Sequence, residues 1–320
     1  MNQVGFIGLG KMGFPMAVQL LKSNYYVFGM DLNQQTMKQF QVLGGVPSTF
    51  EEIIHSTQYI ILMLPSSRTV NTIIDSLLDI YQSGNLKSKP TIIDMSSSYP
   101  EDTRQNEQKL KALGLGFLDA PVSGGIKKAA EGTLTIMTGG KDSLFRECKP
   151  LLEAMGSKLF HVGPIGSGHL IKAVNNYLSA AHLLTTCETI HLLENYGVKP
   201  ETAINVFNNS TGRSGSTEYK FPSFILNNSY QSGFSLELMS KDVKMASRLY
   251  EDIGAATAFP QAVCQKLEEA QHALPENADH TELFTYIATY LLTGRNSDEE
   301  CKETDNRFTA SCTNAQPRSL

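Results

Sequence analysis

Through the first half of the chain, short apolar runs alternate with segments whose apolar residues recur every three or four positions. Val4 to Ile7, Tyr25 to Met30, Tyr59 to Leu64, Thr91 to Asp94, Gly116 to Asp119, Thr133 to Met137 and Lys158 to Val162 read as strands. Helical segments lie between most of them; the first is marked by Met16, Ala17, Leu20 and Leu21. This alternation predicts a parallel sheet with helices on both faces, the last two or three strands being free to run in mixed directions. At Gly163-Pro164-Ile165-Gly166-Ser167-Gly168 a punctuated loop ends the pattern. From His169 to Tyr196 there is neither Pro nor Gly, and Leu170, Val174, Leu178 and Ala181 lay down one apolar face. A helix of that span is roughly 40 Å long, enough to leave one domain and enter the next. Beyond Val198 the pattern is helical throughout, over 200–208, 234–253, 259–274 and 280–292.

The first strand-to-helix junction carries Gly8-Leu9-Gly10-Lys11-Met12-Gly13. G-x-G-x-x-G alone is a weak signal, but here it follows a strand and opens a helix. In that setting the first glycine allows a tight bend, the second lets a pyrophosphate approach the backbone, and the third lets helix and strand pack closely. The helix N-terminus adds free N–H groups and a positive dipole end. Asp31 closes the second strand about 20 residues on, where an acid binds the ribose diol. Its charge opposes a 2′-phosphate, which points to NAD rather than NADP. The expected fold is therefore α/β: a Rossmann-type dinucleotide-binding domain (1–163), followed by an all-α domain (196–293), joined by a long interdomain helix (164–195). The polar stretch 294–320, rich in Ser, Thr, Asn and charge, is expected to be a disordered tail.

Bulk properties narrow the partners. A chain of 320 residues suits about two domains. A net charge of −5 without a basic run argues against nucleic acid and anionic membranes. The longest apolar runs, such as Tyr59 to Pro65, fall far short of a membrane span. With the first strand starting at residue 3 or 4, a signal or transit peptide is not expected. Five scattered cysteines without a C-x-x-C pair, and seven histidines without ligand spacing, predict reduced cytoplasmic thiols and no metal site.

Three further stretches could carry chemistry. Asp119-Ala120-Pro121-Val122-Ser123-Gly124-Gly125 lies at the C-terminal end of a strand, where open α/β sheets bind ligands. Its serine hydroxyl and two glycine N–H groups would suit a carboxylate; a plain Pro-Gly turn is the alternative. Gly168-His169-Leu170-Ile171-Lys172-Ala173-Val174-Asn175-Asn176 opens the long helix. Lys172 and Asn176 share a face, with Asn175 beside it, and Gly168 one turn earlier would leave room there for a small molecule. A lysine among apolar neighbours loses solvation, which lowers its pKa toward the acid–base range. The bland reading is a lysine snorkelling from an amphipathic helix. Ser240-Lys241-Asp242-Val243-Lys244-Met245-Ala246 is the third stretch, and spacing alone does not separate it from a solvated charged face.

Taken together these segments resemble the β-hydroxyacid dehydrogenase family, from Val4 to about Leu292, and most closely its 3-hydroxyisobutyrate branch. VGFIGLGKMGFPMA resembles the N-terminal signature, and DAPVSGG with EGTLTIMTGG the substrate segment. GHLIKAVNN resembles the G-x-x-x-K-x-x-N-[NQ] catalytic segment, and SKDVKMA the later K-D-L-x-L-A segment. Asn209-Ser210-Thr211-Gly212-Arg213-Ser214 resembles the S-S-G-R segment of the hydroxyisobutyrate enzymes.

The resemblance implies an NAD-dependent oxidoreductase in which Lys172 is catalytic. Ser123, Gly124, Gly125, Asn175 and Asn176 would bind a small carboxylate substrate. Gly8, Leu9, Gly10, Lys11, Met12, Gly13, Asp31, Leu64, Pro65, Thr69 and Ser97 would bind the dinucleotide, with Lys241 on its nicotinamide side. A homodimer or homotetramer is expected through the helical domain. Ile126-Lys127-Lys128-Ala129-Ala130 departs from the small residues usual after Gly125, so either a larger or more anionic substrate is an alternative or the lysines simply point to solvent. Reduction of glyoxylate, succinic semialdehyde or tartronate semialdehyde on the same site is another, and a non-catalytic dinucleotide-binding scaffold a third. Lys172, Asn176 and Ser123 together speak against the scaffold.

Overall fold

A computed structural model of the chain describes residues 3–82, 89–255 and 257–289. The expected tail at 294–320, the last residues of the helix expected at 280–292, and Cys301 and Cys312 lie outside them. The strands are β1 (Gln3–Ile7), β2 (Tyr26–Met30), β3 (Val46–Pro47), β4 (Tyr59–Leu62), β5 (Thr91–Asp94), β6 (Gly116–Asp119), β7 (Val122–Ser123), β8 (Leu134–Gly139) and β9 (Gly156–Gly163). The helices of the first half are α1 (Gly13–Lys22), α2 (Gln34–Val42), α3 (Phe50–Ser56), α4 (Ser67–Gln82), α5 (Pro100–Ala112), α6 (Gly125–Glu131) and α7 (Asp142–Glu153). After them come α8 (Ser167–Asn195), α9 (Pro200–Asn208), α10 (Leu236–Asp252) and α11 (Ala258–Ala273). Two short elements are a π-helix over Ser216–Ile225 and a 3-10 turn over His280–Glu282, and residues 283–289 continue from the latter as helix.

Among the described residues nine strands form one sheet in the order β3-β2-β1-β4-β5-β6-β8-β7, with β9 also on β8. From β3 to β6 every pairing is parallel. β8 runs antiparallel to β6 and β7, while β9 is parallel to β8. The strand order reverses between β1 and β4, which makes the carboxyl ends of those strands the crevice where this architecture takes its ligand. Both faces of the sheet are covered, so adjacent residues of one strand enter different cores. Ile61 packs with Phe6, Met16 and Leu20, whereas its neighbours Ile60 and Leu62 pack with Ile54, Val70 and Ile74.

Contacts divide the chain into two compact units. One comprises the residues up to Leu178 together with Leu238–Cys264, and the other Ser179–Glu237 together with the chain from Gln265 on. Among its described residues the second unit is helical. Its buried apolar residues include Leu183, Cys187, Ile190, Phe221, Ile225, Leu283 and Ile287. Lys220, on the π-helix, donates from Nζ to the Ser179 carbonyl (3.2 Å) and hydroxyl (2.8 Å). Among the described residues no helix is long and apolar enough to cross a membrane.

Candidate active site

The three glycines after β1 occupy three different environments. Gly8 has φ of +97°, and a Cβ there would lie 2.3 Å from the Met63 carbonyl oxygen. A Cβ on Gly13 would overlap the Gly8 carbonyl oxygen, so α1 meets β1 as closely as a helix can. Gly10 has nothing within 4 Å of such an atom, leaving the backbone open where a phosphate would approach. Met12, at the N-cap of α1, supplies no side-chain cap; the Phe14 N–H is taken by the Gly10 carbonyl (3.0 Å) and Pro15 has none, so within the first turn the Gly13 N–H is the one that would meet an anion. Asp31 accepts the Leu9 N–H at Oδ2 (2.7 Å) and the Asn33 N–H at Oδ1 (2.8 Å). A carboxylate offers about four acceptor sites, so two remain for a diol. These residues fit an NAD dinucleotide.

The ends of β4 and β5 are tied together beside this loop. The Ser96 hydroxyl lies 2.9 Å from the Leu64 N–H, which donates to it, and Thr69 sits 3.1 Å from the Ser66 hydroxyl. Lys241 donates from Nζ to the carbonyls of Pro65 (3.2 Å) and Ser97 (3.3 Å), so three of the residues expected at the dinucleotide meet at one point. Pro65 is exposed and Ser97 half-buried.

A buried polar cluster anchors the start of α8. Asp119, at the end of β6, accepts the N–H of Gly166 (2.7 Å) and of His169 (2.9 Å), one on each carboxylate oxygen. His169 is itself buried; its Nε2 donates to the Ser96 carbonyl (3.0 Å) and its Nδ1 meets the Thr103 hydroxyl (2.8 Å). Asp94, at the end of β5, accepts from the Ser96 N–H (3.0 Å) and the Ser98 hydroxyl (2.7 Å). Gly168 belongs to this contact: a Cβ there would come within 2.3 Å of the Met137 carbonyl oxygen and 2.8 Å of Asp119 Oδ2. The expectation that Gly168 leaves room for a small molecule is thereby corrected, because the missing side chain makes room for the sheet.

One turn further along α8, Lys172 Nζ lies 3.4 Å from Asn176 Oδ1, and Asn175 Nδ2 lies 3.3 Å from the same oxygen. Asn176 is buried, Lys172 half-buried and Asn175 exposed. The Asn176 Nδ2 donates to Asp242 Oδ2 at 2.6 Å. Desolvation pushes the Lys172 ammonium below its ordinary pKa; Asp242 draws it back up, and Lys241 pushes it down again. The SKDVKMA stretch is thus not the solvated face that spacing allowed. Ser240 and Asp242 are buried, and only part of Lys241 reaches solvent.

Ser123 is set by pairing opposite Thr135 in the antiparallel β7–β8 ladder, and Gly124 and Gly125 follow with φ of +139° and +70°. Backbone strain of that kind leaves glycine as the fitting residue at both. Around Gly125 there is open space, whereas the Lys128 stem lies over Gly124. Lys127 and Lys128 are exposed. This loop and the Lys172 turn both spring from Asp119, the first along the chain and the second through its carboxylate. Sequence reasoning missed the parts played by Asp94, His169 and Asp242. For Asp94 and Asp119 a signal existed: each is an acid closing an apolar strand.

Comparison with known proteins places this geometry in a family. A family model described as the NAD binding domain of 6-phosphogluconate dehydrogenase matches residues 3–163. A second, described as the NAD-binding domain of NADP-dependent 3-hydroxyisobutyrate dehydrogenase, matches residues 166–287. The chain is 34% identical to 2-(hydroxymethyl)glutarate dehydrogenase of Eubacterium barkeri, over 76% of this chain and 81% of that one. It is also 34% identical to mitochondrial 3-hydroxyisobutyrate dehydrogenase of Mus musculus, over 80% and 77%. The Mycobacterium tuberculosis 3-hydroxyisobutyrate dehydrogenase structure with L-serine superposes with a TM-score of 0.83 at 28% identity, covering 90% of this chain and 99% of that one. The chain belongs to the β-hydroxyacid dehydrogenase family and is an NAD-dependent oxidoreductase of that type.

Proposed function

We propose that the substrate is 3-hydroxyisobutyrate, oxidised to methylmalonate semialdehyde, with Lys172 as the general acid/base. The observation that carries this reading is the Lys172 amine, desolvated on α8 and facing the carbonyl of a fixed asparagine. When bound, NAD supplies the acceptor for the hydride of the carbinol carbon. Lys172, as the neutral amine, takes the hydroxyl proton and returns it when the reaction runs in reverse. Asn176 and Asn175 carry no charge and act by holding the hydroxyl in line. Ser123 with the Gly124 and Gly125 N–H groups holds the substrate carboxylate. The loop from Gly8 to Gly13, with Asp31, Leu64, Pro65, Thr69, Ser97 and Lys241, holds the dinucleotide. The domain limits expected from the sequence belong to the same reading, supported by the two family matches meeting between residues 163 and 166. So do a cytoplasmic enzyme and a homo-oligomer, the latter supported by Ile171, Leu178 and Leu192, exposed seven or fourteen residues apart on α8.

A second reading has its own observation. The exposed Lys127 and Lys128, separated from the glycine pair by Ile126, favour a hydroxyacid with a second carboxylate, as the name of the Eubacterium barkeri relative describes for that enzyme. Steady-state kinetics over small hydroxyacids and semialdehydes, with each dinucleotide, tests both. The highest kcat/KM is expected with 3-hydroxyisobutyrate and NAD. A preference for a dicarboxylic substrate, weakened by Lys127→Ala or Lys128→Ala, selects the second reading instead. Equal use of NADP removes Asp31 from its role.

A further inference from the structure

Asp242 is 2% exposed, yet only one of its oxygens is hydrogen-bonded. Oδ2 accepts the Asn176 amide N–H at 2.6 Å, while Oδ1 has no hydrogen-bond partner and faces Lys241 Nζ at 3.6 Å. A buried carboxylate that is only half satisfied costs stability, and filling space would need no charge. Its chemistry explains what it does to its neighbour. An ionised carboxylate accepts hydrogen bonds and donates none, so Asn176 must turn its NH₂ toward Asp242. The amide carbonyl is then forced to the other side, where Lys172 and Asn175 both meet it. A flipped amide would set two acceptor oxygens against each other, and its NH₂ would donate to the Lys172 lone pair that has to receive the proton.

The geometry points to Asp242 as a positioning residue: it fixes the orientation of the Asn176 amide toward Lys172 and the substrate, and holds Lys241 by charge at the same point. The assignment rests on the reading of Lys172 as the proton-transfer group. The charged groups facing Lys172 are Asp242 and Lys241, both from α10, so Asp242 is also the counter-charge that keeps two ammonium groups compatible.

The test uses Asp242→Asn, Asp242→Glu, Asn176→Ala and the Asp242→Asn/Asn176→Ala double variant, with Lys172→Ala as control. Asp242→Asn should lower kcat/KM by about 10–100-fold, the worth of a charge-assisted hydrogen bond. It also removes the group that raises the Lys172 pKa, so the acid limb of the oxidation pH profile should move to lower pH. Asp242→Glu keeps the charge and should leave that limb in place while kcat falls through displaced geometry. If Asp242 acts through Asn176, the double variant should lose little beyond Asn176→Ala alone. An acid limb of Asp242→Asn that coincides with wild type, or losses that multiply in the double variant, would overturn the assignment. Should Asp242→Asn not fold, Asp242→Glu decides: wild-type kcat with an unmoved limb refutes positioning. Lys172→Ala separates the two claims. If it stays active, the reading of Lys172 fails; if it is inactive while both Asp242 variants behave as wild type, only Asp242 is misassigned.

Discussion

Two polar clusters stand one turn apart at the beginning of α8, and they differ in how completely they are bonded. Around Asp119, Asp94 and His169 every carboxylate oxygen and both ring nitrogens have partners between 2.7 and 3.0 Å. Around Lys172 the Asn176–Asp242 bond is short at 2.6 Å, but the contacts that Lys172 and Asn175 make to Asn176 are 3.4 and 3.3 Å, and Asp242 Oδ1 has no hydrogen-bond partner. Each cluster centres on a buried carboxylate, Asp119 in one and Asp242 in the other, so burial of the acid does not distinguish them. Saturation does. A saturated cluster has nothing left to offer a ligand and serves to hold the backbone. An unsaturated one holds donors and acceptors in reserve, which is what a reacting group requires.

The largest expected effect falls on the unsaturated side. Lys172→Ala should lower kcat by roughly 10²–10⁴-fold, the usual worth of a positioned proton-transfer group, with NAD affinity nearly unchanged. Lys172→Arg should not restore it, because a guanidinium stays protonated. Near-normal turnover of Lys172→Ala across the substrate panel would erase the distinction between the clusters.

On the saturated side the loss should be one of stability. Asp119→Ala strands the N–H groups of Gly166 and His169, at a cost of roughly 2–5 kcal/mol. Chemical denaturation should show that loss. A variant as stable as wild type would mean that α8 is held by packing alone.

The finest test asks whether a depressed lysine is enough to mark a site. Lys220 in the second unit is pushed down by burial to about 8, yet its Nζ is bonded to Ser179 on both the carbonyl and the hydroxyl. Saturation classes it as an anchor, so Lys220→Met should leave kcat unaltered. Its folded pKa lies below the unfolded value of about 10.4, so its protonation costs stability at neutral pH and the cost is relieved as pH rises from about 8. Wild type should therefore gain up to about 3 kcal/mol between pH 7.5 and 10.5 relative to Lys220→Met, measured by denaturant midpoints. Parallel pH dependences in the two proteins would contradict the buried-amine account.

What was legible in the sequence follows from how local each signal is. The glycine loop could be read because positive φ at Gly8 and the closeness of Gly13 to Gly8 are demands on single residues. Pro200–Asn208 was readable as a helix because Pro stands at its first turn and the apolar period holds. Two-residue strands such as β3 and β7 have no period to detect, and the π-helix over Ser216–Ile225 carries Pro222 in its interior, which reads as a helix breaker. Lys172 was singled out by its apolar neighbours and by Asn176 one turn on. Asp242 was not, because its role depends on α10 lying against α8, a contact between residues 66 positions apart. No spacing rule reaches that far.

Asp119 also gives α8 a fulcrum. The helix is pinned at Gly166 and His169, near one end of its 29 residues. Lys172 stands about 4.5 Å from that pin along the axis, and Asn195 about 39 Å. Any tilt of the helix then carries its far end about nine times further than it carries Lys172. A rocking of several ångströms at Asn195 would reach the Lys172 position as a few tenths. The lever arm is long on the far side of the pin, so a tilt of the rod moves Lys172 far less than it moves Asn195.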